Sequence, residues 1–138
     1  PMGPHASCVA SVIARLWPIA RDAGLHVAAE LGIQLGDDTV VSCDSALTRE
    51  ALVGRSFATP ADLLLVVEVA ETTLARDLGT KRALYAAAGV ATYWVVDGAR
   101  DVVHVFSEPV DGEYASVATV RFGAPLAVPG TLSHIVLG

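Results

Sequence analysis

The run Asp62-Leu-Leu-Leu-Val-Val-Glu-Val-Ala70 constrains this chain more than any other stretch. Short, continuously apolar and rich in branched side chains, it reads as a strand buried on both faces, and such a strand needs a layer above and a layer below it. Near its end it carries Glu68. A second charge is committed to the same interior. Between Thr72 and Gly89 the apolar positions Leu74, Leu78 and Tyr85 recur at helical spacing, and the same period places Lys81 in that stripe, so the lysine points where the leucines point. Burying an unpaired charge costs on the order of several kcal/mol, so charges placed this way are paired, bound to a metal or used in chemistry.

The flanking segments supply the layers. His5 to Ala23 reads as a helix on the spacing of Val9, Val12, Ile13, Leu16 and Ala20, with Gly24 as its stop and Pro18 expected to kink or shorten it. Leu25 to Leu35 changes to a period of two, with Val27, Ala29, Leu31, Ile33 and Leu35 on one face and His26, Glu30 and Gln34 on the other. After the turn Gly36-Asp37-Asp38, Thr39 to Thr48 returns as a second strand that contains Asp44, and residues Arg49 to Pro60 read as a loop. Beyond the Lys81 helix, Ala91 to Val96, Val102 to Phe106 and Tyr114 to Val120 read as further strands, with Pro125 to Gly138 as an edge segment. Strand, helix, strand implies a parallel pair, and the hairpins add antiparallel neighbours. The expectation is an α/β chain of the α+β type, a central mixed sheet flanked by helices, in one domain over residues 1–138.

Composition supports that size and narrows the class. The chain has 138 residues, of which 53% are hydrophobic, enough for a core without staples. Cys8 and Cys43 match no zinc or redox spacing and are expected to be buried thiols. No stretch approaches the roughly 20 apolar residues of a membrane span and no signal peptide opens the chain, so no membrane and a cytoplasmic location are expected. The net charge of −6 argues against non-specific nucleic-acid binding, although carboxylates that hold divalent cations contribute to such a balance.

Asp44, Glu68 and Lys81 lie on two strands and the following helix, the way a mixed sheet gathers groups at one end. Two carboxylates can hold Mg2+ through hard oxygens, and a nearby lysine can position water and offset charge developing on a phosphate. A strand carboxylate also commonly pairs with a lysine on a neighbouring helix, so residue types alone leave a structural ion pair and a metal site equally open. Of the other candidates, Glu30 could join the metal cluster or be an exposed strand residue, and Asp77 could orient Lys81 or favour the first half of the helix. Tyr85 reads as core with a hydroxyl seeking a partner. His5 could touch a substrate phosphate or, more commonly for a lone histidine near a terminus, be solvated; His26, His104 and His134 read as structural, while Trp17 and Trp94 read as core. Arg49, Arg55 and Arg82 are open as phosphate contacts.

Leu-Leu-Leu-Val-Val-Glu-Val, Arg76-Asp77, Lys81, Tyr85, Gly89-Val90 and Tyr93-Trp94-Val95-Val96-Asp97 together resemble the Uma-two family of putative restriction endonucleases, within the PD-(D/E)XK nuclease superfamily. The likeness runs from His5 to Pro129-Gly130. It implies a restriction-endonuclease-like core in which Asp44 is the first metal-binding aspartate, Glu68 the second acidic ligand, the Val69 carbonyl a third ligand, and Lys81 the catalytic lysine. That lysine follows the glutamate by 13 residues, not two as in standard members, which suits a lysine carried on the helix. Cys43 stands where the family has proline, and Ala70-Glu71-Thr72-Thr73 replaces its serine-rich turn, with the threonines still able to cap the helix. Family members usually carry an N-terminal hairpin with a further glutamate, which this chain begins too late to contain.

The resemblance implies Mg2+- or Mn2+-dependent hydrolysis of DNA phosphodiester bonds by a homodimer, a duplex cut needing two sites. Two rivals remain: a catalytically inactive nuclease-fold scaffold or interaction module that retains an ion pair at the old metal site, and a nuclease acting on RNA or single strands.

Overall fold

All of β3 (Leu63–Ala70) is buried, which is why its sequence does not alternate. The computed structural model describes residues 5–70 and 73–138. In chain order the elements are α1 (His5–Asp22), β1 (His26–Gln34), β2 (Val40–Thr48), a 3-10 turn (Pro60–Asp62), β3, α2 (Leu74–Arg76), a π-helical turn (Asp77–Lys81), α3 (Arg82–Ala87), β4 (Thr92–Asp97), β5 (Val102–Val110), β6 (Glu113–Arg121), β7 (Pro125–Ala127) and β8 (His134–Val136).

The first six strands form one sheet in the order β1-β2-β3-β4-β5-β6. β3 and β4 pair in parallel across the helical crossover, Val67 opposite Trp94 and Val69 opposite Val96. The other ladders are antiparallel. The expected mixed sheet flanked by helices is therefore present. Alternation along β3 splits the core in two. Leu65, Val67 and Val69 meet Cys8, Val12, Leu16 and Ala20 of α1 on one side, and Val66 and Ala70 meet Tyr85 and Ala86 of α3 on the other.

Several sequence expectations change in the folded chain. Pro18 lies inside α1 and does not end it. Trp17 is 57% exposed, beside the start of β1 at His26 and Val27, whereas Trp94 is fully buried. The tail does not extend the main sheet: β7 and β8 pair with each other and bury Leu126, Val128, Ile135 and Leu137 against the α1 side. Nor does β1 keep one apolar face. Val27 packs with the α1 side and Leu31, Ile33 and Leu35 with the α3 side. Between them Glu30 is left-handed at φ 48°, which interrupts the alternation and is uncommon for a residue with a side chain.

Candidate active site

The site opens where β2 and β3 part. Their ladder pairs Ser45 with Val67 and Ala46 with Val66, and pairs nothing beyond Ser45. Beyond it, hydrogen bonds between side chain and backbone join the two strands instead. The Asp44 N–H donates to Oε1 of Glu68 at 3.1 Å, and the Val69 N–H donates to Oδ2 of Asp44 at 2.7 Å. Each carboxylate thus caps a backbone donor freed by the divergence, which holds both acids at the strand ends without a ladder between them.

Lys81 comes to the same place from the helix. Its ammonium donates to the Ser42 carbonyl at 2.7 Å and to Oε2 of Glu68. The Tyr85 hydroxyl donates to that same Oε2 at 3.2 Å. Tyr85 is therefore both core, as expected, and a partner of the acid. Glu68 is 3% exposed, and burial raises its pKa from the ordinary 4.5 against the lowering effect of Lys81. Burial likewise pushes the Cys43 thiol up to about 12, with the Glu68 charge adding to it, so this cysteine stays protonated and inert. The Tyr85 hydroxyl is raised for the same two reasons.

A cleft of about 510 Å³ lies over these groups and is lined by Asp44, Glu68, Val69, Asp77 and Lys81, with His5, Ser42, Thr73 and Arg76 at its sides. The acids and the lysine that sequence reasoning selected share this one cleft. Glu30 does not line it. It lies exposed across the β1–β2 register from Asp44, where the ladder runs from Ala29–Ser45 to Leu31–Cys43. Asp77 makes no hydrogen bond to Lys81. Its carboxylate, 2% exposed as a residue, accepts the Thr73 hydroxyl at 2.8 Å and lies 3.8 Å from Nε of Arg76. Thr73 is the N-cap residue of α2, yet its hydroxyl serves Asp77 and not the helix backbone, while Thr72 and Glu71 fall outside the described residues.

Other contacts escaped the sequence. His5 is not merely solvated, because its Nε2 lies 3.1 Å from Oδ2 of Asp44. Of the arginines, Arg49 serves the Ala61 carbonyl, Arg55 grips Asp62 and Arg82 lies over Phe106; the arginine at the cleft is Arg76. No sequence period marks Arg76, because it depends on the π-helical turn that follows; Gly79 and Thr80 within that turn, both weak helix formers, are the one hint.

Chemically, the site offers hard oxygen donors from two adjacent strands. Among the described residues no group of three or more His, Cys, Asp or Glu side chains could cage a metal ion. A carboxylate pair without a cage is the donor set that suits a cation keeping most of its waters, as Mg2+ does. Among the described residues no helix is long and apolar enough to cross a membrane.

Comparison with known proteins agrees with this architecture. A crystal structure of a putative nuclease belonging to DUF820 from Anabaena variabilis ATCC 29413 superposes with a TM-score of 0.71 at 17% identity, covering 96% of this chain and 79% of that one. At that identity the likeness speaks for the fold alone. No curated protein sequence matches. The family model Uma2, described as putative restriction endonuclease, matches residues 1–137, nearly the whole of the described sheet, helices and cleft, and the chain belongs to that family.

Proposed function

We propose that this protein is a metal-dependent endonuclease that hydrolyses DNA phosphodiester bonds in the cleft above Asp44, Glu68 and Lys81. One observation carries the reading: β2 and β3 diverge at the point where two carboxylates meet a helix-borne lysine, at the mouth of an open cleft. Membership of a family described as putative restriction endonuclease supports it, and DNA enters as substrate on that ground.

In this reading Asp44 and Glu68, with the Val69 carbonyl, hold Mg2+ or Mn2+. When bound, the cation supplies a lowered pKa for attacking water and charge stabilisation on the phosphate. The protein's own groups do the rest. Lys81 has three N–H bonds, of which Ser42 and Glu68 take two, so the third is available to orient a water against the phosphorus. Its charge then offsets the negative charge that accumulates in the transition state. Glu68 and the Ser42 carbonyl keep the lysine from sweeping out into solvent. Two such sites, one from each subunit of a homodimer in the cytoplasm, would cut both strands of a duplex.

One observation favours a second reading, a scaffold without catalysis. Both oxygens of Glu68 already have partners, Oε1 the Asp44 N–H and Oε2 both Lys81 and Tyr85. A buried acid satisfied in this way can persist as a plain ion pair. Nicking of supercoiled plasmid with Mg2+ or Mn2+, by wild type beside Glu68→Ala and Lys81→Ala, tests the first reading: cleavage lost in both variants is expected. Calorimetric titration with either metal separates the two, because the scaffold binds neither.

A further inference from the structure

The mechanism above leaves a second set of cleft groups unused: Arg76, Asp77 and Thr73. Asp77 is buried, and the structure gives its carboxylate two neighbours, the Thr73 hydroxyl at 2.8 Å and Nε of Arg76 at 3.8 Å. Its backbone carbonyl is fixed from below by the Tyr93 hydroxyl at 2.9 Å. The arginine itself reaches outward, its side chain 60% exposed while lining the cleft. An acid anchored on both its side chain and its main chain lies beside a solvent-facing guanidinium, beyond hydrogen-bond distance, and biases the base of that guanidinium by charge alone while leaving its terminal fork free.

The π-helical turn Asp77–Lys81 explains why Arg76 can face the cleft at all. In a regular α-helix two residues five apart differ in direction by about 140°, so Arg76 and Lys81 would diverge. A π turn closes its hydrogen bonds between residues five apart and so stacks them on one side. Arg76 and Lys81 both line the cleft, five positions apart, across that turn. Carboxylates there outnumber these two fixed cations, so an anionic backbone needs a donor that reaches beyond Glu68 and Asp77 to meet it.

We propose that Arg76 is a substrate-binding residue that grips a backbone phosphate of the nucleic acid next to the one being cleaved, and that Asp77, held by Thr73, is its positioning residue. This assignment rests on the nuclease reading for its ligand, a DNA duplex. Arg76 forms paired N–H···O contacts with phosphate oxygens while Lys81 stays with Glu68 and the attacking water.

The test is binding of a fluorescein-labelled DNA duplex of mixed sequence across a salt series, with steady-state cleavage of the same duplex, for wild type, Arg76→Ala, Arg76→Lys and Asp77→Asn. Arg76→Ala is expected to weaken binding about tenfold and to flatten the slope of log K against log salt by about one. It raises KM and leaves kcat within about threefold. Arg76→Lys recovers part of the affinity and all of the slope. Asp77→Asn removes a negative charge yet weakens binding, because the guanidinium loses that bias. Tighter binding by Asp77→Asn overturns the positioning role, and an unchanged KM and salt slope in Arg76→Ala overturns the clamp while leaving a cleaving wild type's nuclease activity intact. Wild type that binds the duplex through Arg76 without cutting it sinks the nuclease reading and keeps the clamp.

Discussion

Asp44 donates its backbone N–H to the carboxylate of Glu68, 3.1 Å away, while its own carboxylate accepts the N–H of Val69. Two acids that would repel across a closed ladder are instead tied to each other's strands by hydrogen bonds. This lock makes an open, acid-lined strand end compatible with a stable sheet.

Asp44→Asn keeps the amide oxygen that Val69 needs and deletes the charge. Stability should change by less than about 1 kcal/mol, measured by urea unfolding. The heat of Mn2+ binding should disappear in calorimetry, and a variant that still binds metal like wild type would remove Asp44 from the ligand set.

Glu68 carries a pH signature. Its pKa in the folded chain is raised above 4.5 by burial, so the folded state holds this proton more tightly than the unfolded one. The contribution to stability is therefore largest below 4.5 and is lost as pH climbs through the raised folded value. Glu68→Gln should remove this part of the slope. Lys81→Met should steepen it, since it withdraws the cation that favours the charged form. Urea midpoints from pH 4 to 8 read both, and parallel curves for all three proteins would contradict the assignment.

Tyr85→Phe takes one donor from Oε2 of Glu68 and nothing from the packing of the ring. The expected cost is about 1 kcal/mol of stability and about tenfold in metal affinity. Equal metal affinity in the two proteins would reduce Tyr85 to a core residue.

At the entrance to β3, Arg55 pairs with Asp62 through contacts of 3.0 and 2.7 Å. That pair, with the Thr59 N–H, holds the Asp62 carboxyl down at about 2. Its stabilising effect is present above the ordinary 3.8 and is lost as pH falls toward about 2. Solvent screening keeps the effect small, because the Arg55 side chain stands in water. Acid titration of Arg55→Gln should show that smaller stability at neutral pH and a shallower fall below it; an unchanged acid limb would mean the pair contributes nothing.

Much of this architecture can be read from the chain because it follows from local periodicity and burial. The run Leu63–Ala70 has to be a central strand whatever its partners, and Gly24 and Gly89 end their helices at φ 72° and 80°. Period also put Lys81 on the inward side, since i and i+4 neighbours such as Lys81 and Tyr85 share a face of an α-helix. Tertiary structure alone decided the rest. Where β2 and β3 part depends on which backbone donors the two acids can cap, a contact between residues 24 apart. His5 reaches Asp44 only because α1 crosses the sheet end, 39 residues away in sequence. The left-handed Glu30 switches the side on which β1 buries its apolar residues, and Arg76 enters the cleft through a π turn that no regular period encodes. Sequence patterns record which side of an element meets the core; where elements end against one another is set by hydrogen bonds between distant residues, and the cleft is made of those ends.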